Sequence, residues 1–287
     1  MKTTWKGNGN LMRIVSDTAT LYSPEEGRNL GVTILPVYVA VDGVEYKDYE
    51  EIDTETFLEL IENGGIPSSS QPSIGDIMEV FEESQEEVLL LSVGDGLSGA
   101  YQNAVGAKNS IEDNEHIHIM DTKTLAGPHR YLLEKAIKLR AEGLNIERIK
   151  EELQKCIESS LSFVIPFDFD FLKRSGRLTP VAAKIGNLIK IVPVMTQTED
   201  KKRIELFAVK RSCRKAVEAV INHLKSRGIN EDYIISIGHG GVAEKATAIM
   251  TQMKEQLHMA TFELLQLSPS LITHGGPGCV TIQVVRK

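Results

Sequence analysis

Cysteine is scarce and odd in number: Cys156, Cys213 and Cys279 stand far apart in a chain of 287 residues. That spacing excludes a disulfide framework and a CxxC metal or redox site, and predicts reduced, mostly buried thiols. Basic charge is also short, with 32 Lys and Arg against 40 Asp and Glu and a net charge of -8. Long-range electrostatics therefore give no help to binding nucleic acid or an anionic membrane surface. No uncharged run of about 18 apolar residues occurs, which excludes a membrane-spanning helix. The polar stretch Met1 to Asn10 lacks the apolar core of a signal peptide. A cytoplasmic protein without an integral membrane segment is expected. His116 and His118 alternate on a strand-like stretch, but no HExxH or Cys/His cluster accompanies them, so no metal site is expected.

What is present is ordinary for a globular protein: 41% hydrophobic and 25% charged residues, with 23 Gly and 10 Pro. This composition rules out disordered, collagenous and coiled-coil classes, and the length suits two domains or one large one. Strand and helix alternate through the first half. Leu11 to Val15 reads as a strand ending in the polar turn Ser16-Asp17-Thr18, and Ser23-Pro24-Glu25-Glu26 as a helix start. Val32 to Val41 is β-rich, Asp53 to Asn63 helical, Ile66 to Ser73 a loop and Ser73 to Glu83 helical. Val88 to Val93 is a strand, Leu97 to Lys108 a helix and Ile117 to Met120 a strand. The pattern predicts an α/β fold with a mostly parallel, doubly wound sheet. Two charged amphipathic helices between Thr124 and Ser160 close this unit, placed at residues 11–157.

The remainder, 158–287, reads as a smaller α+β domain with a mixed sheet. Its strands are Leu161 to Pro166, a hairpin of Ile189 to Met195 with Arg203 to Val209, Tyr233 to Gly238, Thr261 to Gln266 and Val280 to Val285. Its helices are Leu178 to Ile185, Ser212 to Arg227 and Val242 to Leu257.

Four constellations carry chemical potential. Gly94-Asp95-Gly96-Leu97-Ser98-Gly99 is a GxGxxG after a strand, with Asp121 ending the next strand, as in a dinucleotide site. It lies in mid-domain instead of at the first βα turn. Under either reading, a helix start offers free N–H groups and partial positive charge to an anion, and Ser98 stands either beside that anion or as a helix cap. Pro67-Ser68-Ser69-Ser70-Gln71-Pro72-Ser73 supplies hydroxyls that donate to an oxyanion without bringing charge. Thr273-His274-Gly275-Gly276-Pro277-Gly278 joins one imidazole to residues that let backbone approach closely. Leu172-Lys173-Arg174-Ser175-Gly176-Arg177-Leu178 is a basic knot, either a solvated cluster or a fork of guanidinium donors for an acidic or phosphorylated partner.

Together and in this order, Ser16-Asp17-Thr18, Ser69-Ser70-Gln71-Pro72-Ser73, Gly96-Leu97-Ser98-Gly99-Ala100-Tyr101-Gln102, the 172–177 knot and His274-Gly275-Gly276-Pro277-Gly278 resemble the DegV family of bacterial fatty-acid-binding proteins. The resemblance runs from about Arg13 to the C-terminus. It implies a Rossmann-like domain and a smaller mixed-sheet domain enclosing one long-chain fatty acid, with no cofactor. It also implies that Ser69, Ser98 and His274 bind the carboxylate, supported by Ser70, Gln71, Gly96, Gly99, Gly275 and Gly276. Members that work with a fatty acid kinase present the carboxylate for phosphorylation, and the acyl phosphate enters phospholipid synthesis; Arg177 would dock that kinase. Two positions depart from the family pattern. Ser69 replaces the usual Thr, keeping the hydroxyl but dropping a methyl that restricts its rotamer, and Ala100 stands where Thr is common.

Burying roughly 14 methylenes at about 0.8 kcal/mol each gives on the order of 11 kcal/mol, enough for tight binding after association costs. Hydroxyls and an imidazole satisfy the carboxylate without leaving a buried unpaired cation in the empty protein. Two enzymatic readings compete. One is an NAD-dependent oxidoreductase using Gly94, Gly96, Gly99 and Asp121. The other is a hydrolase with Ser98 as nucleophile and His274 as base, for which no acid partner is evident.

Overall fold

A computed structural model describes residues 12–185 and 190–287. The first sheet is wholly parallel. Its strands are β1 (Met12–Asp17), β2 (Thr33–Leu35), the strand of the first unit at Glu87–Ser92, and that at Ile117–Asp121. Between β2 and the latter pair lie β3 (Tyr38–Val41), β4 (Val44–Lys47) and β5 (Pro67–Ser70), which form a separate antiparallel sheet in the order β4-β3-β5. Glu87–Ser92 is therefore β6 and Ile117–Asp121 is β7, and the parallel sheet runs β2-β1-β6-β7.

Helices cover both faces of the parallel sheet, as such sheets require. The chain forms α1 (Pro24–Asn29), α2 (Thr54–Glu62), α3 (Ile74–Glu82), α4 (Ala100–Asn109), α5 (Ala126–Ala141) and α6 (Ile146–Ser159). Side chains cap several N-termini: Ser23 and Glu26 form a reciprocal capping box on α1, and Asp53, Ser73 and Asn145 open α2, α3 and α6. Ile77, Val80 and Phe81 of α3 with Ala104 and Ala107 of α4 pack on Val15, Val88 and Leu90. On the other face, Leu132, Leu133 and Ala136 of α5 and Ile149 and Leu153 of α6 pack on Ile14, Leu89 and Leu91.

The rest of the chain builds a mixed six-stranded sheet from β8 (Leu161–Ile165), β9 (Val192–Gln197), β10 (Ile204–Lys210), β11 (Tyr233–His239), β12 (Thr261–Gln266) and β13 (Val280–Arg286), in the order β10-β9-β8-β13-β11-β12. Only β11 and β12 are parallel. Its helices are α7 (Phe169–Arg174), α8 (Cys213–Ser226), α9 (Ala243–Lys254) and α10 (Pro269–Gly275). The period-2 alternation of β13 divides its side chains: Val280, Ile282 and Val284 pack with α8 and α9, while Cys279, Thr281 and Gln283 face the opposite way, into a cavity. Val285 joins the core around α5 and α6, so those helices touch both sheets.

The alternating α/β pattern and the mixed second sheet match the expectation. Several local readings do not. Val32 to Val41 is two strands in two different sheets, divided at Pro36, which has no N–H for a ladder. The expected loop Ile66 to Ser73 contains β5, which pairs with β3. The helix expected from Leu97 begins at Ala100, and Leu178 to Ile185 holds only a 3-10 turn at Ala182–Lys184. The expected strand starts at Leu11 and Ile189 lie outside the described residues. The hairpin of β9 and β10 is antiparallel as read.

Candidate functional site

Three separate pieces of chain converge at one point. The pairing of Val39 with Ser69 sets Ser69 on β5, at the edge of the small sheet. His274 sits in the last turn of α10, which starts with Ser268 before Pro269 and ends at Gly276. Ser69 Oγ and His274 Nε2 are 2.8 Å apart. This pair holds two mobile protons, one on the hydroxyl and one on the neutral imidazole. The internal bond uses one, so the pair has one left to donate whichever tautomer is present.

The glycines after His274 make that approach possible. Gly276 has φ +80, and a Cβ there would lie 3.1 Å from the Phe171 side chain; at Gly275 it would meet Cys279 Sγ at 2.7 Å. Neither position takes a side chain without displacing a neighbour.

Ser98 lies in the turn before α4, where its Oγ accepts from Ala100 N–H at 3.2 Å, leaving the hydroxyl proton free to point elsewhere. Gly99 is the N-cap, and the Gln71 side chain lies against it, 3.2 Å from where a Cβ would be. Ser69, Ser70, Gln71, Ser98 and His274 line one small cavity of about 60 Å³.

The dinucleotide reading fails on the same loop. Gly94 packs on the Lys123 and Thr124 backbone and Gly96, at φ +88, on Lys202. These glycines admit neighbouring protein, not a pyrophosphate. Asp121 accepts from the N–H groups of Asp95 and Lys123, so it braces the turn in place of a ribose. The hydrolase geometry is likewise missing, since His274 Nε2 pairs with Ser69 and burial, aided by the Arg177 charge, pushes its pKa down to about 3.

Arg177 is the main surprise among the singled-out residues. It is not an exposed fork: its side chain is half-buried, with Nε donating to Leu97 O at 3.0 Å and Nη1 to Ser175 O. Desolvation lowers its pKa, and it lines the same cavity as Ser69, Ser98 and His274. The exposed cations of the knot are Lys173 and Arg174.

A second cavity of about 110 Å³ adjoins the first and shares Leu97, Leu125, Arg177, Leu271 and His274 with it. Its walls include Val164, Leu172, Met195, Ile204 and Leu267, from the mixed sheet and the helices over it. A chamber that gathers the hydroxyls of Ser69, Ser70 and Ser98 and the Gln71 amide therefore meets a mainly apolar one at three leucines, one imidazole and one guanidinium. The arrangement suits an amphiphile with an anionic head: the proton left on the Ser69–His274 pair, the Ser98 hydroxyl and a cation stand ready for the charge, and aliphatic walls suit a tail.

Sequence reasoning missed the polar frame behind this site. Asp48 is fully buried, accepts from Thr18 Oγ1 at 2.9 Å and lies by Ser268 and Ser270 at the start of α10; burial raises its pKa to about 7. Ser270 lines the head cavity. Buried His129 bridges Ser16 Oγ and Thr122 Oγ1, each at 2.8 Å, and desolvation holds its pKa near 3. The Ser-Asp-Thr motif read as a turn is instead the end of β1, with Ser16 and Asp17 within the strand. A buried Asp or His gives no periodic signal, and the residues flanking Asp48 and His129 in sequence do not mark either one out. His118 lies elsewhere, on the surface between Glu87 and Glu147. Among the described residues no helix is long and apolar enough to cross a membrane.

Residues 12–287 match the model of a family described as uncharacterised DegV proteins. The DegV domain-containing protein lin2658 of Listeria innocua is 28% identical over 276 residues, covering 93% of this chain and 95% of its own. The fatty acid binding DegV family protein SAG1342 from Streptococcus agalactiae superposes with a TM-score of 0.87 at 25% identity, over 97% of this chain and 99% of its own. A stearic acid-binding protein from Eubacterium ventriosum gives a TM-score of 0.84 at 24% identity, over 96% and 99% of the two chains. With the family model spanning both sheets and every element of the site, this chain belongs to the DegV family.

Proposed function

We propose that this chain binds one long-chain fatty acid and presents its carboxylate to a fatty acid kinase, performing no chemistry itself and needing no cofactor. Ser69, Ser98 and His274 bind the carboxylate, Ser98 donating one hydrogen bond and the Ser69–His274 pair its one remaining proton, Arg177 supplies the opposing charge, and the acyl chain lies in the adjoining cavity. The units 11–157 and 158–287 act as its two walls. The observation that carries this reading is the shared boundary of the two cavities at Leu97, Leu125, Arg177, Leu271 and His274, which supports one continuous outline long enough to take a charged head and part of an apolar tail. The solved relatives named for fatty acids support it.

The head chemistry also suits the hand-over. A carboxylate held by two hydroxyls, an imidazole and the Arg177 guanidinium keeps an oxygen for attack, and His274, held near 3, is a poor base for hydrolysing an acyl phosphate. With Arg177 turned inward, docking of the kinase falls to the exposed Lys173 and Arg174 of the same motif. The test combines solvent extraction of the purified protein, with identification of the released acid, and incubation of the loaded protein with a fatty acid kinase and ATP. Release of a long-chain acid and formation of acyl phosphate are expected. An empty protein that also fails to take up added acid overturns the reading; a loaded protein that yields no acyl phosphate overturns the kinase part alone.

A further inference from the structure

The sheet face under the cavity is not uniformly apolar. Thr281 of β13 pairs with Val164 of β8, and Val164 with Met195 of β9; these three line the cavity as one row. One step along, Gln283 pairs with Ser162, and the same register continued sets Gln197 opposite Ser162. All three of these line the cavity too. A mainly apolar row is thus followed, two residues on, by a row that is entirely polar across three adjacent strands.

This second row is held rigidly. Gln283 Nε2 donates to Leu125 O at 2.9 Å and to Ser162 Oγ at 3.1 Å, and its Oε1 accepts from Gly127 N–H at 3.3 Å. Gln197 Nε2 donates to Lys123 O at 3.0 Å and Lys201 O at 3.2 Å. Gln283, itself buried, has spent its N–H groups on a backbone carbonyl and a hydroxyl, so it does not turn aside for a hydrocarbon without leaving buried polar groups unpaired; the partly exposed Gln197 is fastened to two backbone carbonyls. Cys279, beside Gly275 and hence next to His274, immediately precedes β13 and lines the same cavity as Thr281 and Gln283. From Cys279 to Gln283 is four residues, roughly 13 Å of strand, shorter than an extended long-chain acid.

We infer that Ser162, Gln197 and Gln283 form a chain-length ruler: a polar wall that ends the apolar path leading from the head group and so sets how much straight acyl chain gains by burial. The inference rests on the fatty-acid reading and adds its specificity determinant. Each methylene buried before the wall improves affinity by roughly fourfold, the equivalent of ordinary methylene burial; methylenes beyond it gain little.

The experiment is a competition series, saturated acids from decanoic to eicosanoic displacing a fluorescent fatty acid from the intact chain. It is run on the unaltered protein and separately on Ser162→Ala and Gln197→Leu. The unaltered protein should show affinity rising with length and then levelling, and at least one variant should carry the rise to longer acids, by roughly tenfold at the first lengths past the plateau. A rise with no plateau, or folded variants whose length profiles superimpose on that of the unaltered protein, overturns the ruler while leaving fatty-acid binding intact. Failure of every acid to displace the probe, with the probe itself unbound, instead overturns the reading on which it rests.

Discussion

Ser69 Oγ and His274 Nε2, 205 positions apart in sequence, meet at 2.8 Å and tie the edge of the small antiparallel sheet to the last turn of α10. Because the two groups share a proton inventory, their contributions to anion binding are coupled. Ser69→Ala and His274→Ala should each weaken fatty-acid binding by about ten- to a hundredfold, the scale of a hydrogen bond to a charged group. The double variant should lose clearly less than the product of the two, because removing either partner already frees or strands the other. Titration of a fluorescent fatty acid against all four proteins measures this; strict multiplicativity would show that the two side chains act independently.

Arg177 and the outward cations of the same motif should separate cleanly. Arg177→Ala removes the charge beside His274 and the bond to Leu97 O, so acid binding should fall by about tenfold or more. Its loss should also let the His274 pKa rise, though burial, the larger cause, keeps it below the ordinary histidine value of 6.5. Imidazole NMR titration reads this directly. Exchange of Lys173 and Arg174 for Glu should leave acid binding within about twofold and slow phosphorylation by the kinase; the reverse pattern would assign docking to Arg177.

Acid stability should depend on His129. Its pKa in the folded protein is near 3 because the ring is buried, against 6.5 when exposed in the unfolded chain. A histidine depressed in this way contributes stability that is present above 6.5 and is lost as pH falls toward 3. Asp48, raised to about 7, and Asp17, raised to about 6, act in the opposite sense: their stabilising effect is present below the ordinary value of 3.8 and is lost as pH climbs toward 7. Urea unfolding between pH 4 and pH 8 should therefore show a flatter acid limb in His129→Gln and a flatter neutral limb in Asp48→Asn, each relative to the unaltered protein. Parallel curves in all three would contradict the assignment.

Gly276 tests the backbone beneath the imidazole. With φ at +80 and the Phe171 side chain 3.1 Å from where a Cβ would stand, Gly276→Ala meets both strain and a clash. A loss of about 1 to 3 kcal/mol is expected, together with weaker acid binding because the end of α10 must shift. Thermal melting and ligand titration on the same variant measure the two effects; an unchanged melting temperature would show that the turn is not constrained.

How much of this was legible in the chain depends on which physical signal each part leaves. β6 is continuously apolar because both of its faces are buried, and α3 and α8 carry clear apolar stripes, so their types and places read directly. β5 reads as a loop because Pro67-Ser68-Ser69-Ser70 has no apolar residue after the proline; its strand character comes wholly from pairing with β3. α7 and α10 are 6 and 7 residues long, too short for a helical period to stand out. Ser69, Ser98 and His274 were found through the order of their motifs, and they do converge on one cavity. The direction of Arg177 was not legible, because a basic cluster looks the same whether its last member faces solvent or a cavity. Asp48 and Ser162 were invisible for a related reason: a single buried polar residue matters only through partners that the fold brings from elsewhere.

The most direct test of the central claim is native mass spectrometry of the protein purified from bacterial cells. The account predicts a species heavier than the polypeptide by the mass of one long-chain fatty acid, diminished in the Ser69→Ala, His274→Ala double variant. A bare polypeptide mass that stays unchanged after incubation with long-chain acids would contradict it.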